Sequence, residues 1–182
     1  MLRLFFALQP TLEQNATLVA HVAPLVAQLQ GQPVPEQNLH ATLCFIGAID
    51  PARLDDLRAA AASLRARPAR LEFDALEYWE APKILCATAS RDLSAASELA
   101  IALGEVAVAA GFAPDIKPLR AHLTLARKIA PTQATTVPLP LPLVPPTVLR
   151  AEKFVLMSSR REGACSIYSA VDCWPLYGPP YD

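Results

Sequence analysis

The chain has 182 residues, of which 53% are hydrophobic and 18% charged, and its net charge at pH 7 is −1. Such a composition supports a buried core and excludes a disordered segment or a disulfide-stapled scaffold. Near-neutral charge also excludes whole-molecule attraction to nucleic acid, so any cationic feature must be local.

Taken in chain order, Leu2 to Leu8 reads as a first strand. This run resembles a secretion leader only superficially, because Gln9-Pro10 ends it early, and no run reaches membrane-spanning length; a soluble, cytoplasmic protein is expected. Thr11-Leu12-Glu13-Gln14 is a capping box opening a helix with Leu12, Ala16, Val19, Val26 and Leu29 on its inner face and a kink at Pro24. Asn38 to Ile46 is an apolar run that predicts a buried strand. Asp50-Pro51 then supplies an N-cap and a first-turn proline to a second helix carrying Leu54, Leu57, Ala61 and Leu64, closed by Pro68.

Leu71 to Trp79 and Ile84 to Ala89 predict two strands joined at Glu80-Ala81-Pro82-Lys83. Asp92 caps a third helix with Leu93, Ala96, Leu99, Leu103 and Val106 inward, ended by Gly111. Ala121 to Ala126 is a second buried strand of the same type as 38–46. The order strand, helix, strand thus occurs in both halves, an internal duplication of layout. Pro131 to Pro146 holds six prolines in sixteen residues, which excludes a central strand and predicts an extended surface connection. A proline-motif ligand for a partner domain is its functional alternative. Val148 to Ser158 and Cys165 to Cys173 close the chain as a hairpin turning through Arg160-Arg161-Glu162-Gly163.

The two buried strands carry one signature twice, His40-Ala41-Thr42-Leu43 and His122-Leu123-Thr124-Leu125, in a chain with three histidines in all. Residues two apart in a strand share a face, so His40 pairs with Thr42 and His122 with Thr124, while Leu39, Ala41, Leu43 and Phe45 point the other way. Facing strands of this kind offer one imidazole as general base, the other as general acid, and two hydroxyls for non-bridging oxygens, which is what in-line attack on a phosphodiester needs. A lone strand histidine is usually a core residue; the repetition argues against that here. Neither signature has the spacing that supplies a third zinc ligand, so no metal and no cofactor are expected. Lys117, Arg120, Arg127 and Lys128 surround the second signature with only Asp115 opposing, as an anionic phosphate site would want. Arg120 shares the face of His122, whereas alternation sends Arg127 to the other face unless a bulge re-aims it. Cys44, Cys86, Cys165 and Cys173 sit in apolar contexts and read as buried thiols in a reducing compartment; Cys44 shares the face of His40 but has no partner that marks a nucleophile.

Arg3-Leu4-Phe5-Phe6-Ala7-Leu8, Asn38 to Gly47, and Arg120-Ala121-His122-Leu123-Thr124-Leu125-Ala126-Arg127-Lys128 resemble the RNA 2′,3′-cyclic phosphodiesterases, historically called 2′-5′ RNA ligases, of the two-histidine phosphoesterase superfamily. The resemblance spans nearly the whole chain and implies an α+β fold in a single two-lobed domain over residues 1–182. Two antiparallel sheets would line a central groove, with helices on the outer faces and a pseudo-twofold internal duplication. It implies metal-independent hydrolysis of an RNA 2′,3′-cyclic phosphate end to a 2′-phosphate, with a weak reverse 2′-5′ joining reaction in some members. Carried over by position, His40 and His122 are the acid-base pair; a 2′-phosphate requires O3′ to leave, so one protonates O3′ and the other activates water, with His40 taken as the acid and His122 as the base although the locally equivalent strands do not fix that order. Thr42 and Thr124 become the phosphate clamps, and Arg127 a substrate-side arginine. Ala41 departs from the larger aliphatic residue usual in the family and bears on packing. Phe5 or Phe6 is expected as an aromatic platform for the base. The expected partners are RNA ends or short oligonucleotides with a 2′,3′-cyclic phosphate, no membrane is expected, and a monomer is expected.

Two other readings use the same residues. One changes the substrate to a small cyclic nucleotide or an ADP-ribose-derived phosphodiester, which near-neutral charge mildly favours. The other is a non-catalytic RNA-end binding module whose histidines only recognise phosphate.

Overall fold

The computed structural model describes residues 1–162 and 165–178. Two antiparallel sheets carry the fold. In the first, the strands lie in the order β3 (Ala41–Ile49), β1 (Leu2–Leu8), β8 (Lys153–Glu162), β9 (Cys165–Pro175). In the second the order is β2 (Gln32–Pro33), β6 (His122–Arg127), β5 (Ile84–Ala89), β4 (Ala69–Trp79), β7 (Leu141–Ala151). Leaving out the two-residue β2, the order β3-β1-β8-β9 answers β6-β5-β4-β7. Each signature strand pairs antiparallel with the strand one helix before it in the chain, β3 with β1 and β6 with β5. The duplicated layout expected from sequence is therefore a duplication in space.

The helices interlock the two sheets. Helix α1 (Leu12–Gln28) follows β1 of the first sheet but packs on β6 and β7 of the second, and α3 (Ser94–Ala109) follows β5 of the second sheet but packs on β3 of the first. Helix α2 (Leu54–Ser63) packs on α3. One continuous apolar cluster consequently runs through both halves, from Leu4, Phe6 and Leu8 to Phe73, Leu85 and Leu123. Alanine-rich α3 is suited to this, because Ala95, Ala96, Ala100, Gly104 and Ala107 are buried beside Leu99 and Leu103. A Cβ on Gly104 would stand 3.2 Å from the Ile116 side chain.

Local sequence rules explain most element ends. The capping box forms, with the Gln14 amide donating to Thr11 Oγ1 at 3.2 Å and the Thr11 amide donating to Gln14 Oε1 at 3.0 Å. The buried stripe of α1 is Asn15, Leu18, Val22 and Val26, so Leu12 and Ala16 face solvent, contrary to expectation. Asn15 hides the stripe from a hydrophobic pattern: its amide is buried and donates to the Glu36 carbonyl at 2.9 Å. The helix continues past Pro24, whose ring is exposed. Asp50 caps a one-turn 3₁₀ segment, Pro51–Arg53, ahead of α2. That helix stops at Ser63, five residues before Pro68. Asp92 is no N-cap; it adopts φ 52 and α3 begins after Leu93 without a side-chain cap.

The proline-rich segment differs from the surface connection expected over 131–146. It holds a one-turn α4 (Pro131–Ala134) and then enters β7, which pairs with β4 alone. An edge strand tolerates Pro142, Pro145 and Pro146 because no outer neighbour needs their missing amides. The single strand expected from Val148 to Ser158 is two, one in each sheet, divided at Glu152. A period-two pattern carries no sign of such a sheet change. The closing hairpin pairs Lys153 with Pro175 through Glu162 with Cys165; Gly163 of the expected turn and the burial of Cys165 lie outside the described residues. Cys44 and Cys86 are buried, whereas Cys173, on edge strand β9, is exposed and corrects the expectation for it. No helix among the described residues is long and apolar enough to cross a membrane.

Phe6, fully buried between Phe154 and Trp174, tests the shared core. Phe6→Ala should lower unfolding free energy by about 3–5 kcal/mol in urea titrations.

Candidate active site

The two signature histidines are held in the same way. Strand β3 starts at Ala41, so His40 stands just before it, and a 3₁₀ turn over Glu36–Asn38 brings the Asn38 carbonyl to 2.6 Å from His40 Nδ1. His122 opens β6, with its Nδ1 2.7 Å from the Arg120 carbonyl. A carbonyl only accepts, so Nδ1 carries the hydrogen in both rings and Nε2 is left for chemistry. His40, Thr42, His122 and Thr124 line one cleft of about 330 Å³.

A matched irregularity follows each threonine. Pairing of β1 with β3 jumps from Thr42 to Cys44, and pairing of β5 with β6 jumps from Thr124 to Ala126. Leu43 and Cys44 are therefore both buried, as are Leu125 and Ala126. Each bulge reverses the alternation, and the residue five after the histidine returns to the cleft face. In the first arm that residue is Phe45, half exposed and lining the cleft, although simple alternation points it away. In the second it is Arg127, which lines the cleft and donates to the Tyr168 hydroxyl at 3.3 Å. The same bulge moves Cys44 off the face of His40 toward α3, where burial raises its thiol to about 11.

Around His40 the walls are aromatic. Its ring lies 4.9 Å from Phe5 and 4.9 Å from Tyr168, centroid to centroid. Phe5 is only 2% exposed, so it backs the imidazole, and Phe6 faces the core on the opposite side of β1. Around His122 the walls are mixed. Trp79 packs at 4.5 Å, and Arg120 lies 3.9 Å over the same indole. Glu77 Oε2 accepts from Trp79 Nε1 at 2.9 Å and from Arg120 at 3.0 Å, while Oε1 accepts from Thr88 at 2.9 Å. The guanidinium of Arg120, expected at the phosphate, is thus engaged outside the cleft lining, and its carbonyl orients His122 instead.

Burial pulls His40 down to about 4, the Asn38 carbonyl opposes this, and Arg127 and His122 push the same way as burial. Burial likewise lowers His122, opposed by the Arg120 carbonyl; the Arg120 and Arg127 charges push the same way as burial, and Glu77 opposes them last. Glu77 is itself held low, first by the Trp79 indole N–H. Arg3, Arg127 and Arg160 line the cleft with no carboxylate among the described lining residues, which makes it an anion site. Among the described residues no three His, Cys, Asp or Glu side chains converge as metal ligands. Tyr168, Phe45, Trp79 and Glu77 were not foreseen. Tyr168 comes from the far hairpin and Phe45 from the bulge, and only the Trp79 strand was legible beforehand.

Two matched imidazole–hydroxyl arms across a cationic cleft, on two interlocked sheets, give the arrangement that the resemblance to the two-histidine phosphoesterases leads one to expect. Comparison with known proteins narrows it: the family model described as LigT like Phosphoesterase matches residues 7–85. The RNA 2′,3′-cyclic phosphodiesterase of Escherichia coli (strain K12) is 27% identical over 138 residues, 76% of this chain and 77% of that protein. The crystal structure of E. coli LigT complexed with 3′-AMP superposes with a TM-score of 0.83 at 25% identity, covering 97% of this chain and 99% of that one. A protein of Thermus thermophilus superposes with a TM-score of 0.70 at 26% identity over 96% of this chain and 97% of its own. The chain is thus similar to these phosphoesterases in sequence over most of its length and in fold over nearly all of it.

Imidazole titration by NMR checks the electrostatics. His40 should titrate near 4 and His122 below 6.5, both as the Nδ1–H tautomer at neutral pH, and inorganic phosphate should raise both because an anion favours the imidazolium.

Proposed function

We propose that the protein hydrolyses 2′,3′-cyclic phosphate ends of RNA to 2′-phosphates, using His40 and His122 as an acid-base pair. The observation that carries this reading is the convergence of two identical His-x-Thr arms on one cleft that also holds Arg127. The likeness to the E. coli RNA 2′,3′-cyclic phosphodiesterase over three quarters of the chain supports the substrate.

In this mechanism the cyclic phosphate lies between the two Nε2 atoms. His122, neutral, takes a proton from water as the water attacks phosphorus. His40, protonated, gives its proton to O3′ as the P–O3′ bond breaks, leaving the phosphate on O2′. Thr42, Thr124 and Arg127 donate to the non-bridging oxygens, whose charge grows in the transition state. The substrate phosphate adds an anionic field that the cleft residues do not supply, and this lifts His40 from about 4 so that it can hold the proton it donates. Both proton transfers belong to protein side chains. RNA ends and short oligonucleotides are the partners of this reading, and a single two-lobed domain over residues 1–182 is its working unit.

Chelator-treated protein incubated with a short RNA ending in a 2′,3′-cyclic phosphate should give a 2′-phosphate. His40→Ala and His122→Ala should each lose about 10²–10⁴-fold in turnover. A substrate with sulfur at the 3′ bridging position, which departs without a proton, should restore turnover to His40→Ala and not to His122→Ala. An unchanged cyclic end with wild-type protein would sink the proposal in favour of phosphate binding alone.

The pH profile carries its own sign. The kcat/KM bell reports the free protein, in which both imidazoles are lowered, so its basic limb should begin below pH 6.5. A plateau extending to pH 8 would contradict a protonated histidine donor.

A further inference from the structure

We propose that the protein has a second nucleotide-binding stretch, leading out of the cleft past Lys83 and Lys128, that holds the RNA strand on the 5′ side of the cyclic end. This rests on the function proposed above and deepens it: the substrate class becomes an oligonucleotide, and a nucleoside cyclic phosphate becomes a poor substitute. A cavity of about 530 Å³ adjoins the catalytic cleft and shares Arg127, Ser166 and Tyr168 with it. The cleft, at about 330 Å³, is the smaller of the two, and a strand whose terminal phosphate occupies it must continue outward.

Charge selects the direction. The adjoining cavity is lined by Lys83, Lys128 and Arg127 and by no described carboxylate. Neither lysine is ion-paired among the described residues. The groove on the Phe45 side carries Arg3 against Asp115, which is itself paired with Lys117, and the one beyond Tyr78 carries Glu77 and Glu80 with no described cation. A phosphodiester backbone is repelled beyond Tyr78, meets balanced charge on the Phe45 side and is attracted along the cavity with three cations and no described carboxylate.

The two lysines are also placed with unusual backbone geometry. Lys83 has φ 55 and Lys128 φ 58, a left-handed conformation that costs a side chain with a Cβ and that Asn or Gly adopts more easily. Their turns are fastened together, since the Ile129 amide donates to the Lys83 carbonyl at 3.1 Å and the Ile129 carbonyl accepts from the Tyr78 hydroxyl at 3.1 Å. Two ammonium groups are thereby carried on one rigid rim beside the cleft. Cationic side chains kept where the backbone favours other residues fit a binding role. Pro82 and Tyr168 add flat apolar walls against which bases can stack.

The test compares a nucleoside 2′,3′-cyclic phosphate with a trinucleotide ending in the same nucleoside and cyclic phosphate, using wild-type protein and the Lys83→Asn/Lys128→Asn double variant. Asn suits the left-handed backbone, so the variant removes charge while keeping the turns. Wild type should favour the trinucleotide by about tenfold or more in kcat/KM, mainly through KM. The variant should keep the wild-type rate on the mononucleotide and lose that preference. Its plot of log KM against log salt should also flatten by about 0.7 for each phosphate contact removed. Equal use of both substrates by wild type, or an equal loss on both in the variant, overturns the inference and leaves the hydrolysis standing. Hydrolysis of neither substrate overturns the proposed function and this inference with it.

Discussion

Each signature imidazole hangs on one hydrogen bond, from Nδ1–H to the carbonyl two residues upstream. That bond fixes the tautomer, aims Nε2 into the cleft and offsets part of the cost of burying a titratable ring. Everything else in the site is arranged around two rings held this way. The 3₁₀ turn before β3 presents the Asn38 carbonyl. Arg120, tied to Glu77 and stacked on Trp79, steadies the equivalent carbonyl before β6.

The arms are alike in backbone and unlike in surroundings. His40 sits among Phe5 and Tyr168, His122 beside Trp79 and the Glu77–Arg120 pair. Burial disfavours the charged imidazole at both sites, and beside His122 the Arg120 and Arg127 charges act in the same sense ahead of Glu77. One duplicated scaffold therefore gives two histidines different surroundings, both lowering the imidazole, without any change to the signature itself. The interlocked helices hold the arms together: α1 and α3 each cross to the opposite sheet, so separating the sheets would open a continuous core.

Much of this was legible in the residues. The paired signatures, the capping box of α1, the strand–helix–strand repeat and the hairpin turning at Glu80–Lys83 all follow from local rules of periodicity and capping, whereas Arg160, Arg161 and Glu162, read as the closing turn, are strand residues of β8. Where local rules met tertiary demands they failed in instructive ways. The stripe of α1 was displaced by buried Asn15, whose burial depends on the distant Glu36 carbonyl. Asp92, read as a cap, occupies a left-handed turn instead. The strand ending in Ser158 was read as one because nothing in an alternating pattern marks a change of sheet.

The sequence by itself determined which imidazole and which hydroxyl stand together, because side chains two residues apart in a strand share a face whatever the strand pairs with. It also determined that the chain folds around its own core. Only the tertiary structure decided what surrounds that chemistry. The bulges after Thr42 and Thr124 arise from pairing with neighbouring strands, and they alone bring Phe45 and Arg127 back to the cleft. Tyr168 reaches His40 from a hairpin far along the chain, and the Arg120 guanidinium engages Glu77 because β4 places that carboxylate within reach. Faces are set by the chain's own period, whereas register and long-range partners are set by the sheet.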